Sequence, residues 1–189
     1  MLSNCNEYIK FTPWKIVAFL WMCLPCVMYS QDAWPVFSLG SPPLYLNLPG
    51  VPEPMETQIQ PSMLEVMKAY YAFRYDDDMK GIKVMLLQTS YAQHIHPDFT
   101  IISDQTIREL STRGALDIIY ETTSIEIEGK KGIRQRGTLV IKGETMDFTT
   151  TILNEETHVW KVIIFERMGD AEANQAGQFI LESITFKEN

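Results

Sequence analysis

The strongest constraint on this chain lies in its second half. From Asp117 onward the residue pattern is almost entirely that of β-strands. Thr123, Ile125 and Ile127 alternate with Ser124, Glu126 and Glu128. After a turn at Gly129-Lys130-Lys131, the residues Ile133, Gln135, Gly137, Leu139 and Ile141 alternate with Arg134, Arg136, Thr138, Val140 and Lys142. A period of two is that of a strand whose two faces meet different surroundings. Gly143-Glu144-Thr145 then leads into a strand over Met146–Leu153, and Asn154–Thr157 into one over His158–Arg167. Loops this short join antiparallel neighbours. A three-residue loop in the first hairpin sets Ile127 opposite Ile133, Glu126 opposite Arg134 and Ser124 opposite Arg136, which keeps the two faces unmixed. Gly137 inside its strand implies a bulge or bend, as in a strongly curved sheet.

Upstream the spacing reads as helical. Ser62-Met63-Leu64-Glu65 has the form of a capping box, followed by Leu64, Met67, Tyr71 and Arg74–Tyr75 at helical intervals. Asp76-Asp77-Asp78 interrupts that pattern, and a second helix starting at Asp78 carries Ile82, Met85, Leu86 and Thr89 inward. It ends before Pro97, which biases His96 toward an extended backbone. Asp98–Ile102 reads as a short strand. A third helix, capped by Ser103 or Asp104, carries Ile107, Leu110 and Ala115 and stops at Arg113-Gly114.

The amino-terminal residues have a different character. Lys10 and Lys15 precede an uncharged run of 14 residues, Ile16–Tyr29. That length fits the hydrophobic region of a signal peptide and falls short of a spanning helix. All three cysteines, Cys5, Cys23 and Cys26, lie in this segment, so a chain cleaved after Ser30 has no disulfide. Cleavage also removes Lys10, Lys15 and Glu7, leaving 14 basic and 23 acidic residues, a net charge of −9. Such a surface disfavours nucleic acid and anionic lipid. Seven of the ten prolines then fall between Pro35 and Pro61, which reads as an extended linker. The expected organisation is a signal peptide or signal anchor over 1–30, a proline-rich linker over 31–61, one domain over 62–168 and a tail over 169–189. Secretion is the expected location, with anchorage in a membrane of the secretory pathway as the alternative.

Two helices, a short strand, a third helix and four long antiparallel strands, in that order, resemble the nuclear transport factor 2-like family. This is the cone-shaped α+β fold shared with ketosteroid isomerase. Tyr91-Ala92-Gln93-His94-Ile95-His96-Pro97-Asp98-Phe99 resembles the family's exit from its second helix into its first strand. Thr157-His158-Val159-Trp160-Lys161-Val162 resembles its closing hairpin. The resemblance implies three helices packed on a strongly curved, mainly antiparallel sheet, a pocket inside the cone, and pairing of two copies through the sheet. The family includes enzymes and bare binding modules, so the fold alone does not assign an activity.

Several residues are weighed as sites. His94, His96, Asp98 and His158 offer metal-ligating atoms, but no cysteine or second histidine pair completes a set, and no metal is expected. Asp76-Asp77-Asp78 lacks the spacing of a calcium loop. Lys130, Lys131, Arg134 and Arg136 form a basic patch, offset by Glu126 and Glu128. By resemblance, an enzyme of this family would use Asp98 or His94 as base and Tyr91 or Tyr120 as hydrogen-bond donor, with no cofactor. The favoured reading is a secreted, non-catalytic binding or dimerisation module. Its expected ligand is a small apolar molecule in a pocket lined by Tyr71, Tyr91, Phe99, Tyr120 and Trp160.

Overall fold

Turn chemistry organises the long sheet. In the computed structural model, which describes residues 34–188 apart from 57, 58 and 60, the strands are β1 (Val36–Leu39), β2 (Leu44–Asn47), β3 (Glu53–Pro54), β4 (Met67–Asp77), β5 (Ile82–Tyr91), β6 (Ala115–Ile127), β7 (Lys130–Ile141), β8 (Glu144–Glu155) and β9 (His158–Arg167). Two helices accompany them, α1 (Phe99–Thr112) and α2 (Ala171–Glu182), and Pro61–Leu64 forms a single helical turn. The expected leader lies outside the described residues. β1 and β2 pair with each other, while the remaining strands form a seven-stranded antiparallel sheet in the order β3-β4-β5-β9-β8-β7-β6. The protein is an α+β fold. After β5 the chain passes through α1 to the far edge, then returns strand by strand until β9 pairs with β5.

The expectation of three helices ahead of the sheet is corrected. The stretch from Met67 to Tyr91 forms the β4–β5 hairpin. β4 is rich in tyrosine and phenylalanine, which suit a pleated surface. β5 sits inside the sheet with residues buried on both faces, so its near-continuous apolar run mimics a buried helix. Asp76-Asp77-Asp78 belongs to the hairpin: Asp77 Oδ1 accepts from Lys80 N at 3.0 Å, and Gly81 has a φ of 64°. The expected strand at Asp98–Ile102 is the first turn of α1. Asp98 Oδ1 accepts from Thr100 N at 2.7 Å and Ile101 N at 3.3 Å, a side-chain N-cap that outweighs the β-branched Thr-Ile-Ile run. Beyond Met168, α2 replaces the expected tail strand. Its small residues Ala173, Ala176 and Gly177 are buried, letting the helix lie close to the sheet. The helix count and order that carried the resemblance to the cone-shaped fold are therefore not those of the structure.

The first long hairpin also differs in register. Ile127 faces Lys130, Glu126 faces Lys131 and Ser124 faces Ile133. Glu128 and Gly129 both have positive φ, as a two-residue type I′ loop requires, so the three-residue loop is not formed. The irregularity expected at Gly137 lies across from it, between Leu116 and Ile119 of β6. A Cβ on Gly137 would overlap the Ile119 carbonyl oxygen, so glycine is what allows the close approach.

Two apolar clusters cover the two faces. On one face Ile82, Val84, Leu86, Trp160, Val162 and Ile164 pack against the β1–β2 hairpin and α2. The hairpin contributes Leu39, Leu44, Leu46 and Leu48, all fully buried. On the other face Leu87, Leu139, Phe148, Ile163 and Phe165 meet Leu110 of α1. Truncating Leu46 to alanine should cost about 2–5 kcal/mol in urea unfolding. The same change at exposed Val51 should stay within about 0.5 kcal/mol.

Candidate functional site

β-Strand alternation sends Leu87, Thr89 and Tyr91 of β5, and Val159 and Lys161 of β9, to the face that α1 crosses. Beside α1 this leaves a cavity of about 470 Å³, bounded by Met63, Met67, Tyr70, Leu87, Tyr91, Ile102 and Val159. Arg108, Glu109 and Arg113 of α1, together with Lys161, supply its charges. The Lys161 side chain is 12% exposed, and its Nζ lies 3.4 Å from Glu109 Oε2. Burial pulls the Lys161 pKa down, while Glu109 acts against that shift. Burial also raises the Tyr91 pKa. Three cations against one carboxylate make this rim positive on an otherwise acidic protein. The arrangement suits an apolar body with a polar or anionic end.

Deeper under α1, Gln135 Nε2 donates to Ser103 Oγ at 2.8 Å. Gln135 Oε1 and its cross-strand neighbour Thr150 Oγ1 are buried without a partner among the described residues.

The opposite face carries a second, wider cavity. β7, β8 and β9 extend past α2, and their uncovered strip forms a groove of about 610 Å³ bordered by Tyr120, Arg136, Asp147, Thr149, Glu166 and Gln178. Glu166 is 9% exposed and faces Asp147 directly across the β8–β9 pair. Burial first, then the neighbouring Asp147 charge, push the Glu166 pKa up to about 7, with Arg136 opposing them. A Cβ on Gly177 would overlap the Glu166 carboxyl, so α2 closes directly over it.

The residues singled out from sequence do not converge on one site. Tyr91 lines the cavity beside α1, and Tyr120 lines the groove on the other face. Phe99 packs with Ile102, Ile152 and Val159 at the start of α1. Trp160 is fully buried, donates from Nε1 to the Pro42 carbonyl at 3.2 Å, and meets Phe186 edge-on. Tyr71 is exposed on β4. His94 and His96 are exposed, Asp98 caps α1, and His158 Nδ1 bonds Ser90 Oγ at 2.9 Å. Among the described residues no group of three His, Cys, Asp or Glu side chains is placed to hold a metal ion. Of the basic patch, Lys130 pairs with Glu155 and Arg134 bonds Thr151, while Arg136 reaches the groove.

Lys161, Glu109, Asp147 and Glu166 were missed as site residues. The signal for two of them is visible in β9. His158-Val-Trp-Lys-Val-Ile-Ile-Phe-Glu-Arg167 is a buried strand in which Lys161 stands alone among apolar residues and Glu166 is buried beside the exposed Arg167. A lone charge in such a strand must be paired or open onto a cavity.

No known family model matches the chain, and no curated protein is significantly similar in sequence. Solved structures are similar in shape. Cyanobacterial PsbP (CyanoP) from Synechocystis matches at a TM-score of 0.54 and 9% identity, over 84% of this chain and 95% of that one. LpqN of Mycobacterium tuberculosis, described as involved in cell envelope biogenesis, matches at a TM-score of 0.46 and 12% identity, over 75% and 82% of the two chains. The first of these shows a shared fold.

Glu166 gives a measurable pH dependence. Its pKa is raised from 4.5 to about 7, so its contribution to stability is complete below pH 4.5 and is lost as pH rises through 7. The loss is on the order of 3 kcal/mol. Urea unfolding between pH 5 and pH 8 should show this decline, and Glu166→Gln should flatten it.

Proposed function

We propose that the protein is a non-catalytic binding module of the secretory pathway or the cell exterior, which holds a small, largely apolar molecule between α1 and the sheet. The observation that carries this reading is the cavity of about 470 Å³ with an apolar wall and a cationic rim at Arg108, Arg113 and Lys161. Its size suits a small organic ligand. The rim orients a ligand's anionic end, and Lys161 is already desolvated there, so an added carboxylate or sulfonate would gain a charge-assisted hydrogen bond.

Secretion rests on the sequence of the leader, Ile16–Tyr29, and on the confinement of cysteine to the first 26 residues. Among the described residues no helix is long and apolar enough to cross a membrane. The acid–base reading has less support. Asp98 is occupied in capping α1, His94 is exposed, and neither borders the two cavities described above. Pairing of two copies through the sheet would use edge strand β6, where Leu116 and Ile119 are 64% and 72% exposed.

A fluorescent apolar anion, 1-anilinonaphthalene-8-sulfonate, tests the cavity. Binding in the micromolar range is expected at pH 7. Leu87→Trp, which fills the cavity, should abolish it, and Lys161→Met should weaken it about tenfold, the loss of one charge-assisted bond. Binding that survives Leu87→Trp in a folded protein would refute the assignment. Native mass spectrometry of material recovered from secreting cells tests the location and the pairing. A chain starting near Gln31 and carrying added ligand mass is expected, and full-length material confined to membranes would overturn secretion.

A further inference from the structure

The groove on the face opposite that cavity has a chemistry of its own. Two carboxylates, Asp147 and Glu166, stand side by side on neighbouring strands. Glu166 is 9% exposed, lines the groove, and its carboxylate receives no hydrogen bond from any described residue. Its seat is built, because α2 presents Gly177 where any side chain would displace the carboxyl. On β7 the nearby cation is Arg136, which is exposed and borders the same groove, offsetting part of the charge of the two carboxylates. Tyr120 and Leu181 provide apolar surface beside these groups.

We propose that this groove binds an alkylammonium group, held by Asp147 and Glu166 with its methylene chain along Tyr120 and Leu181. An ammonium supplies three donors to carboxylates that otherwise repel each other, and an exposed aromatic ring adds cation–π attraction. Two carboxylates are too few for a protein-built metal site, whereas an organic cation also uses the apolar wall. The inference is independent of the ligand assigned to the other face.

Binding is coupled to release of a proton from Glu166. The charged groups facing that carboxyl are Asp147 from β8 and Arg136 from β7. A further carboxylate, Glu121 of β6, borders the same groove, whereas β5 presents Ile82 and α2 presents the uncharged Gly177, Asn174 and Gln178. With the carboxyl half-ionised near pH 7, affinity should rise about tenfold between pH 6 and pH 8.

Isothermal titration of the full chain with 1,5-diaminopentane, and separately with N-acetyl-lysine amide, tests this. The expected result is saturable 1:1 binding that tightens about tenfold from pH 6 to pH 8, with a heat at pH 6.5 that tracks the buffer's ionisation enthalpy. Glu166→Gln should remove the pH dependence and weaken binding at least tenfold at pH 8, while Asp76→Asn, exposed near the end of β4, should change neither. Binding of the diamine alone indicates a free polyamine, and binding of both indicates that a lysine side chain suffices. Each of these supports the proposal. Failure of both probes to bind at millimolar concentration would overturn it. So would binding that Glu166→Gln leaves unchanged, or that Glu166→Gln and Asp76→Asn weaken equally. Thermal melts of both variants establish that they are folded.

Discussion

The structure depends on the seating of the β1–β2 hairpin over the centre of the sheet. β5 and β9 are interior strands with apolar residues on both faces, and one of those faces is covered by Leu39, Leu44, Leu46 and Leu48. The hairpin is held in place by two side chains from the sheet. Gln88 accepts from Ser41 N at 2.8 Å and donates to the Pro42 carbonyl at 3.2 Å, and Trp160 Nε1 donates to that same carbonyl. Gln88 and Trp160 are fully buried, so these bonds satisfy polar groups that would otherwise be stranded in the core. The loop backbone and the sheet interior thus solve each other's hydrogen-bonding requirement. The carboxy-terminal residues lock the same hairpin from its other side, through paired backbone bonds between Tyr45 and Thr185 at 2.8 and 2.9 Å.

Both cavities follow from how that covering is shared. A seven-stranded sheet is wider than one helix, so α1 on one face, and α2 with the hairpin on the other, leave strips of strand uncovered. Where the strip borders β4 and β5, alternation presents apolar residues and the desolvated Lys161. Where it borders β7 and β8, alternation presents Arg136, Thr149 and Asp147, and the groove is polar. The two sites differ because the two faces of β9 differ: Lys161 points to one and Glu166, five residues on, points to the other.

Much of the sheet was legible from alternation. β7, β8 and β9 and their antiparallel order followed from period-two patterning and short polar loops. β4 and β5 share a property that imitates a helix. Over eleven and ten residues, strands with apolar groups on both faces show spacings that also satisfy a helix. α1 was recognised by Ile107 and Leu110, but its start was placed too late, since nothing local distinguishes Asp98 as a cap from Asp98 as a strand residue. α2 is obscured because the first part of its buried face is Ala173, Ala176 and Gly177, which carry little hydrophobic signal, and Ile180 and Leu181 follow only near its end. Around the cavity beside α1, Tyr91 is joined by Lys161 and Glu109, which come from elements far apart in sequence and share no local signal with it.

The sequence alone determined the antiparallel pairing of the last four strands, the confinement of cysteine to the first 26 residues, and the acidic balance of the chain. These follow from local periodicity and from composition, and need no knowledge of what packs on what. Only the tertiary structure decided the rest. It turned two apparent helices into a central hairpin, drew four leucines of a proline-rich stretch into the core, and brought Glu109 to Lys161 and Asp147 to Glu166. Those outcomes rest on which faces are buried and by what, and burial is a property of contacts between distant segments rather than of any one segment.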